Sequence, residues 1–141
     1  MKVENKTIII TDPCYICKID EDWDKCEYGD KMEMLEHITN YESSNTIYGD
    51  WSCTVYEGNI EQHSDTNKKL GKFCADAGMV AVFELDEVLK YNPNYDDIEK
   101  IPYAVTVIPD FTGEVTIENI DGSIYVIGKG NINFYSIQTG C

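Results

Sequence analysis

Between Trp51 and Tyr56 apolar and polar side chains alternate without a break. Trp51, Cys53 and Val55 fall on one face and Ser52, Thr54 and Tyr56 on the other, the period of a half-buried strand. Lys6–Ile10 is a second β-type run, stopped by Asp12-Pro13, and Tyr15-Ile16-Cys17 continues it after a bend. Asn45–Tyr48 reads as a short strand leading into Gly49-Asp50. Phe73–Phe83 reads as one strand interrupted at Asp76-Ala77-Gly78, with the all-apolar Met79–Phe83 at the sheet centre. The final forty residues have β character throughout. Tyr103–Ile108 and Gly113–Ile120 are predicted as separate strands. Asp121-Gly122 is the strongest hairpin signal in the chain and joins the latter to Ser123–Ile127. Gly128-Lys129-Gly130 makes a further turn before Ile132–Ile137.

Helical periodicity is confined to short stretches. Leu85, Val88 and Leu89 share one face of a helix over Leu85–Tyr91, ended by Asn92-Pro93. Asp20 is a candidate N-cap for a second helix that closes at Tyr28-Gly29, and Asp96–Lys100 is a further helical turn. Lys31–Ile38 fits either period, and the polar Glu61–Lys69 reads as the longest exposed loop. The 141 residues are expected to form one domain, 1–141. The predicted class is α+β and β-dominated: a mostly antiparallel sheet, or an open β-barrel or sandwich, of seven to nine strands with two short helices.

Composition narrows the function classes. Eleven basic residues face 26 acidic ones, for a net charge of −15, and every basic residue is Lys. Arg is the usual bidentate ligand for phosphates and guanine edges. A chain without Arg and with this charge repels nucleic acid, so no direct nucleic-acid partner is expected. No apolar run approaches membrane-spanning length, and the opening residues carry no secretory pattern. A cytoplasmic setting with its six Cys as free thiols is therefore expected.

The candidate chemistry centres on three aspartate turns, Thr11-Asp12-Pro13-Cys14-Tyr15, Tyr48-Gly49-Asp50-Trp51 and Ala75-Asp76-Ala77-Gly78. Aspartate begins turns by bonding its own backbone, which accounts for all three without a ligand. A hard cation shared by Asp12, Asp50 and Asp76 would need more oxygen ligands, and no calcium-loop spacing is present. Cys14 and Cys17 have C-x-x-C spacing but no second pair, so no metal is expected. A cysteine nucleophile would need a His base, and His37 and His63 both lie in polar surroundings. The net charge also disfavours thiolate, so Cys14, Cys53 and Cys74 read as small core residues. No phosphate-binding glycine motif occurs, no cofactor is expected, and enzymatic activity is disfavoured.

In this order, Asp12-Pro13-Cys14-Tyr15, Trp23, Thr46-Ile47-Tyr48-Gly49-Asp50 and Asp76-Ala77-Gly78 followed by Met79–Leu89 resemble a family of small phage and prophage proteins of uncharacterised function. The likeness covers roughly residues 7 to 91. It departs from the family pattern at Trp51, where a Gly is expected. It implies a phage or mobile-element origin, and therefore the cytoplasm of a host cell, and brings no activity with it.

Two functional readings follow. In the first, the three turns shape a pocket for a small polar ligand such as a host signalling nucleotide. Asp12, Asp50 and Asp76 would accept hydrogen bonds, and Tyr15, Tyr48 and Trp51 would stack on a base. Lys69 or Lys72, with the amides of Gly49, Gly78 and Gly113, would meet phosphate. In the second, the acidic surface binds a basic host protein, as a counter-defence inhibitor or a nucleic-acid mimic would.

Overall fold

Ile8, Ile9 and Ile10 are all fully buried, which a strand permits only when both its faces are covered. The computed structural model, which describes residues 1–13, 35–36, 38–44, 51–75, 79–91, 105–120 and 123–140, shows what covers them. The strands are β1 (Lys2–Thr11), β2 (Tyr41–Ser43), β3 (Trp51–Glu57), β4 (Lys69–Ala75), β5 (Ala81–Glu84), β6 (Val105–Ile120), β7 (Ser123–Gly130) and β8 (Phe134–Gly140). They form a single antiparallel sheet in the order β2-β5-β1-β6-β7-β8-β3-β4. Helix α1 (Leu85–Tyr91) and a 3-10 turn (Ile60–Gln62) complete the described elements. The chain is thus β-dominated with a minor helical part, as its periodicity indicates.

The sheet curls, and its inner face holds the main core. Ile8 and Ile10 of β1, Cys53 and Val55 of β3, Phe73 of β4, Val126 of β7 and Phe134 of β8 meet there. Ile9, Ala81, Phe83 and Val105 point the other way, into a smaller core closed by Val88 of α1 and by Leu35 and Ile38. Each side chain of this size contributes about 1.5–3 kcal/mol when fully buried. Edge strand β4 packs over β6. A β-carbon on Gly71 would lie 3.0 Å from Thr106 Oγ1, so glycine is what lets the two strands approach.

β6 corrects the expectation of separate strands on either side of Pro109-Asp110. It is one strand, because the irregularity is a bulge rather than a break. The register pairs Ile8 with Ile108, Lys6 with Phe111 and Val3 with Gly113. β6 therefore holds one extra residue between the first two pairs, and β1 holds one extra between the last two. Asn5 (φ 49°) and Asp110 (φ 50°) take the left-handed conformation at these bulges, which Asn and Asp tolerate better than other side chains. Side chains satisfy the displaced backbone. Asn5 N donates to Thr112 Oγ1 (2.9 Å), Thr112 N donates to Asn131 Oδ1 (2.9 Å), and Asn131 Nδ2 donates to the Asp110 carbonyl (2.8 Å).

Phe73–Phe83 is likewise not one interrupted strand. β4 lies at one edge of the sheet and β5 next to the opposite edge. The helix over Leu85–Tyr91 is present with the bounds expected. The helix from Asp20, the turn at Asp96–Lys100, the strands at Tyr15–Cys17 and Asn45–Tyr48, and the two central residues of the Asp121-Gly122 hairpin lie outside the described residues.

Candidate functional site

Of the three aspartates expected to converge, Asp12 is described and fully buried at the end of β1, where Thr11 Oγ1 donates to its carbonyl (3.2 Å). Asp50, Asp76, Tyr15, Tyr48, Gly49 and Gly78 lie outside the described residues. The residues flanking these turns have defined places in the sheet. Thr11 pairs with Ala81 and Val105, Ser44 N donates to the Val80 carbonyl (2.8 Å), and Trp51 pairs with Ala75. Four chain steps separate Ala75 from Met79, a span of at most about 15 Å.

Trp51 is 7% exposed and packs edge-on against Phe73 at 6.3 Å, so it is a core residue with little surface left for a base to stack on. Its Nε1–H is buried without a hydrogen-bond partner among the described residues. Lys69 and Lys72 are exposed on the edge strand β4, opposite Tyr56 and Thr54. Charged side chains there guard an open edge against pairing with another chain. Gly113 lies elsewhere, opposite Val3 near the start of β1 rather than beside Thr11 at its end.

The outer face of β6 and β7 carries a different feature. Val115 and Ile117 turn into the core, which leaves Glu114, Thr116, Glu118 and Ile120 on the opposite face. With Ile127 and Lys129 of β7 they floor a cleft of about 530 Å³, walled by Gly58, Asn59, Ile60 and Glu61. That volume is in the range of small-ligand sites. Among the described residues, Glu61, Glu114, Glu118 and Lys129 make no ion pair. Ile120, at 47% exposure, is one of two large apolar side chains left open to solvent among them.

The cleft wall is held from both ends. Gly58 N donates to the Asn133 carbonyl (2.8 Å), and Asn133 Nδ2 donates to Asn59 Oδ1 (3.3 Å). On the other side the fully buried Tyr135 hydroxyl meets His63 Nδ1 (2.8 Å) and accepts from Asn67 Nδ2 (2.8 Å). The rings of Tyr56, His63 and Tyr135 pack together with centroids 5.0 to 5.7 Å apart. Asp65 Oδ1 lies 3.3 Å from His63 Nε2. Placing the proton on Nε2 gives every donor an acceptor, with Tyr135 O–H donating to Nδ1. Glu61–Lys69 is therefore exposed along most of its length, as expected, but anchored at His63 and Asn67. The sequence signal for this was the alternation that puts Tyr56 and Tyr135 on one sheet face.

Both nitrogens of His63 are engaged, and Tyr135 is inaccessible. Burial, with the nearby Cys74 adding to it, pushes the Cys53 thiol up to about 12, so it stays protonated and serves as core. Among the described residues no three His, Cys, Asp or Glu side chains are grouped to hold a metal ion, and no helix is long and apolar enough to cross a membrane. Lys6 Nζ bonds Asp86 Oδ2 at 2.7 Å and ties β1 to the start of α1. The hydrogen bond raises the lysine pKa and lowers that of the carboxyl.

No family model, curated protein or solved structure matches this chain.

Proposed function

We propose that this chain is a non-enzymatic binding protein that recognises a basic segment of a partner protein in the cleft on the outer face of β6 and β7. One observation carries the reading: Glu61 and Glu118, neither in an ion pair, stand over a floor and wall that include Ile60, Ile120 and Ile127. A lysine or arginine side chain matches both parts, with its stem on the isoleucines and its charge at the carboxylates. The net charge of −15 draws such a partner in from solution. The resemblance to phage proteins suits a basic host protein as that partner.

The test is a titration of isotope-labelled protein with hexalysine amide, followed by amide chemical shifts. Shifts concentrated at Glu61, Glu118 and Ile127, weakened about fivefold by the double substitution Glu61→Gln with Glu118→Gln, are expected for two partly exposed charge contacts. Shifts spread evenly over the acidic surface would sink the proposal.

A second reading, a small polar ligand bound beside Trp51, is favoured by the Trp51 Nε1–H, which has no hydrogen-bond partner among the described residues. A nucleotide and metabolite panel that raises the melting temperature of the wild type, and does so less for Trp51→Phe, supports it. A panel with no effect removes it.

A further inference from the structure

The cleft does not end at Glu114. A second, more open hollow of about 610 Å³ adjoins it and is bounded by Lys2, Glu4, Thr112 and Gly113 together with Glu114 and Lys129, which line both. The hollows meet where β7, β6 and β1 lie side by side, since Glu114 pairs with Lys129 on one flank and with Lys2 on the other. Together they follow β6 from Ile120 to Thr112, eight strand steps or about 27 Å. An extended segment of about eight residues spans that length.

The charges along the groove are ordered. Glu118 stands toward the Ile120 end of β6, whereas Lys129 and Lys2 flank Glu114 at the other end. Resting on the basic-partner reading above, we infer that the groove seats an extended segment of a partner protein, with a basic side chain over Glu118 and an acidic one against Lys129 and Lys2. Glu118 lies four positions from Glu114, the cross-strand partner of Lys129, so the two charged residues of the segment are four positions apart on one face. A single lysine side chain would use only the first hollow. The ordered charges discriminate against a uniformly basic chain, which Lys2 and Lys129 repel.

The test is a charge swap using acetyl-Val-Lys-Val-Thr-Val-Asp-Val-amide and a second peptide in which Asp is replaced by Lys. Affinities are read by fluorescence anisotropy of labelled peptides. Wild type binds the Lys/Asp peptide about threefold more tightly than the Lys/Lys peptide, and Lys129→Glu reverses that order, as expected for a partly exposed ion pair. Lys129 is exposed, so the substitution leaves the core intact. If Lys129→Glu leaves both affinities unchanged while Glu118→Gln weakens both, binding is confined to the first hollow and the extended groove is overturned, with the basic-partner reading intact. If neither peptide binds at millimolar concentration, that reading falls as well.

Discussion

Tyr135 concentrates more of the outer-face architecture than any other described side chain. Its hydroxyl is the hub on which His63 and Asn67 fix the wall of the cleft. Tyr135→Phe keeps the ring packing but leaves His63 Nδ1 without its donor, while Asn67 Nδ2 keeps only the Gln62 carbonyl at 3.3 Å. The expected cost is about 1–3 kcal/mol in urea denaturation, with faster amide exchange across residues 60–67 and little change in β1. Gly128 makes a different demand. A β-carbon there would lie 2.1 Å from Phe134 Cε1, and Phe134 is fully buried with nowhere to move. Gly128→Ala is therefore expected to cost about 1–3 kcal/mol or more as an overpacked site, read by thermal melting. Cys53 gives a pH dependence. Its folded pKa, about 12, lies above the ordinary thiol value of 9.0, so the folded state holds a proton that the unfolded state releases. Its contribution is complete below about pH 9 and is lost as pH rises from there toward 12. Denaturant midpoints should fall over that window in the wild type and fall less steeply in Cys53→Ala.

The elements show where local pattern suffices and where it does not. Leu85–Tyr91 was legible because a 3.6-residue period, acids in its first turn and Asn92-Pro93 beyond it agree with one another. β3 was legible from alternation, although Thr54 and Tyr56, assigned to the polar face, are also buried, Tyr56 beneath the returning 58–68 segment. The continuity of β6 was not legible. Pro109-Asp110 carries a local stop signal, and what overrides it is the side chain of Asn131, twenty-one residues away along the chain. Asn131→Ala should therefore loosen the bend. About 1 kcal/mol of stability is at stake, since water replaces part of these exposed hydrogen bonds, and the Thr112 amide should exchange faster. The cleft was not legible. Its wall at Gly58–Glu61 and its floor at Glu114–Ile120 are more than fifty residues apart, and only the curled sheet joins them. The one local hint was Ile120, an apolar residue at an outward-facing position of an alternating strand.

On the scale of the whole molecule, charge acts on stability and on recognition with opposite signs. A chain of net charge −15 repels itself when folded, and salt screens that repulsion over about 8–10 Å at physiological strength. Raising sodium chloride from low to physiological concentration should raise the melting temperature of the free protein while weakening its affinity for a basic peptide. A protein whose affinity and melting temperature moved together would not be using its acidic surface for recognition. Two cores on opposite faces of β1 and β5 also make the inside-outside assignment of each residue strict. Val3, Ile8 and Ile10 of β1, and Ile108, Phe111 and Val115 of β6, reach the same core although odd and even positions are mixed, because each strand switches parity once, at its bulge. The switches cancel, for Ile8 with Ile108 and Val3 with Gly113 give the same sum of residue numbers. In genetic terms the ribbon behaves like a reading frame with a paired insertion. Deleting Asn5 removes the extra residue and its bulge together, so Val3 should keep its inward face and its partner Gly113, whereas a residue added to β1 with no bulge to absorb it should turn the start of the strand inside out.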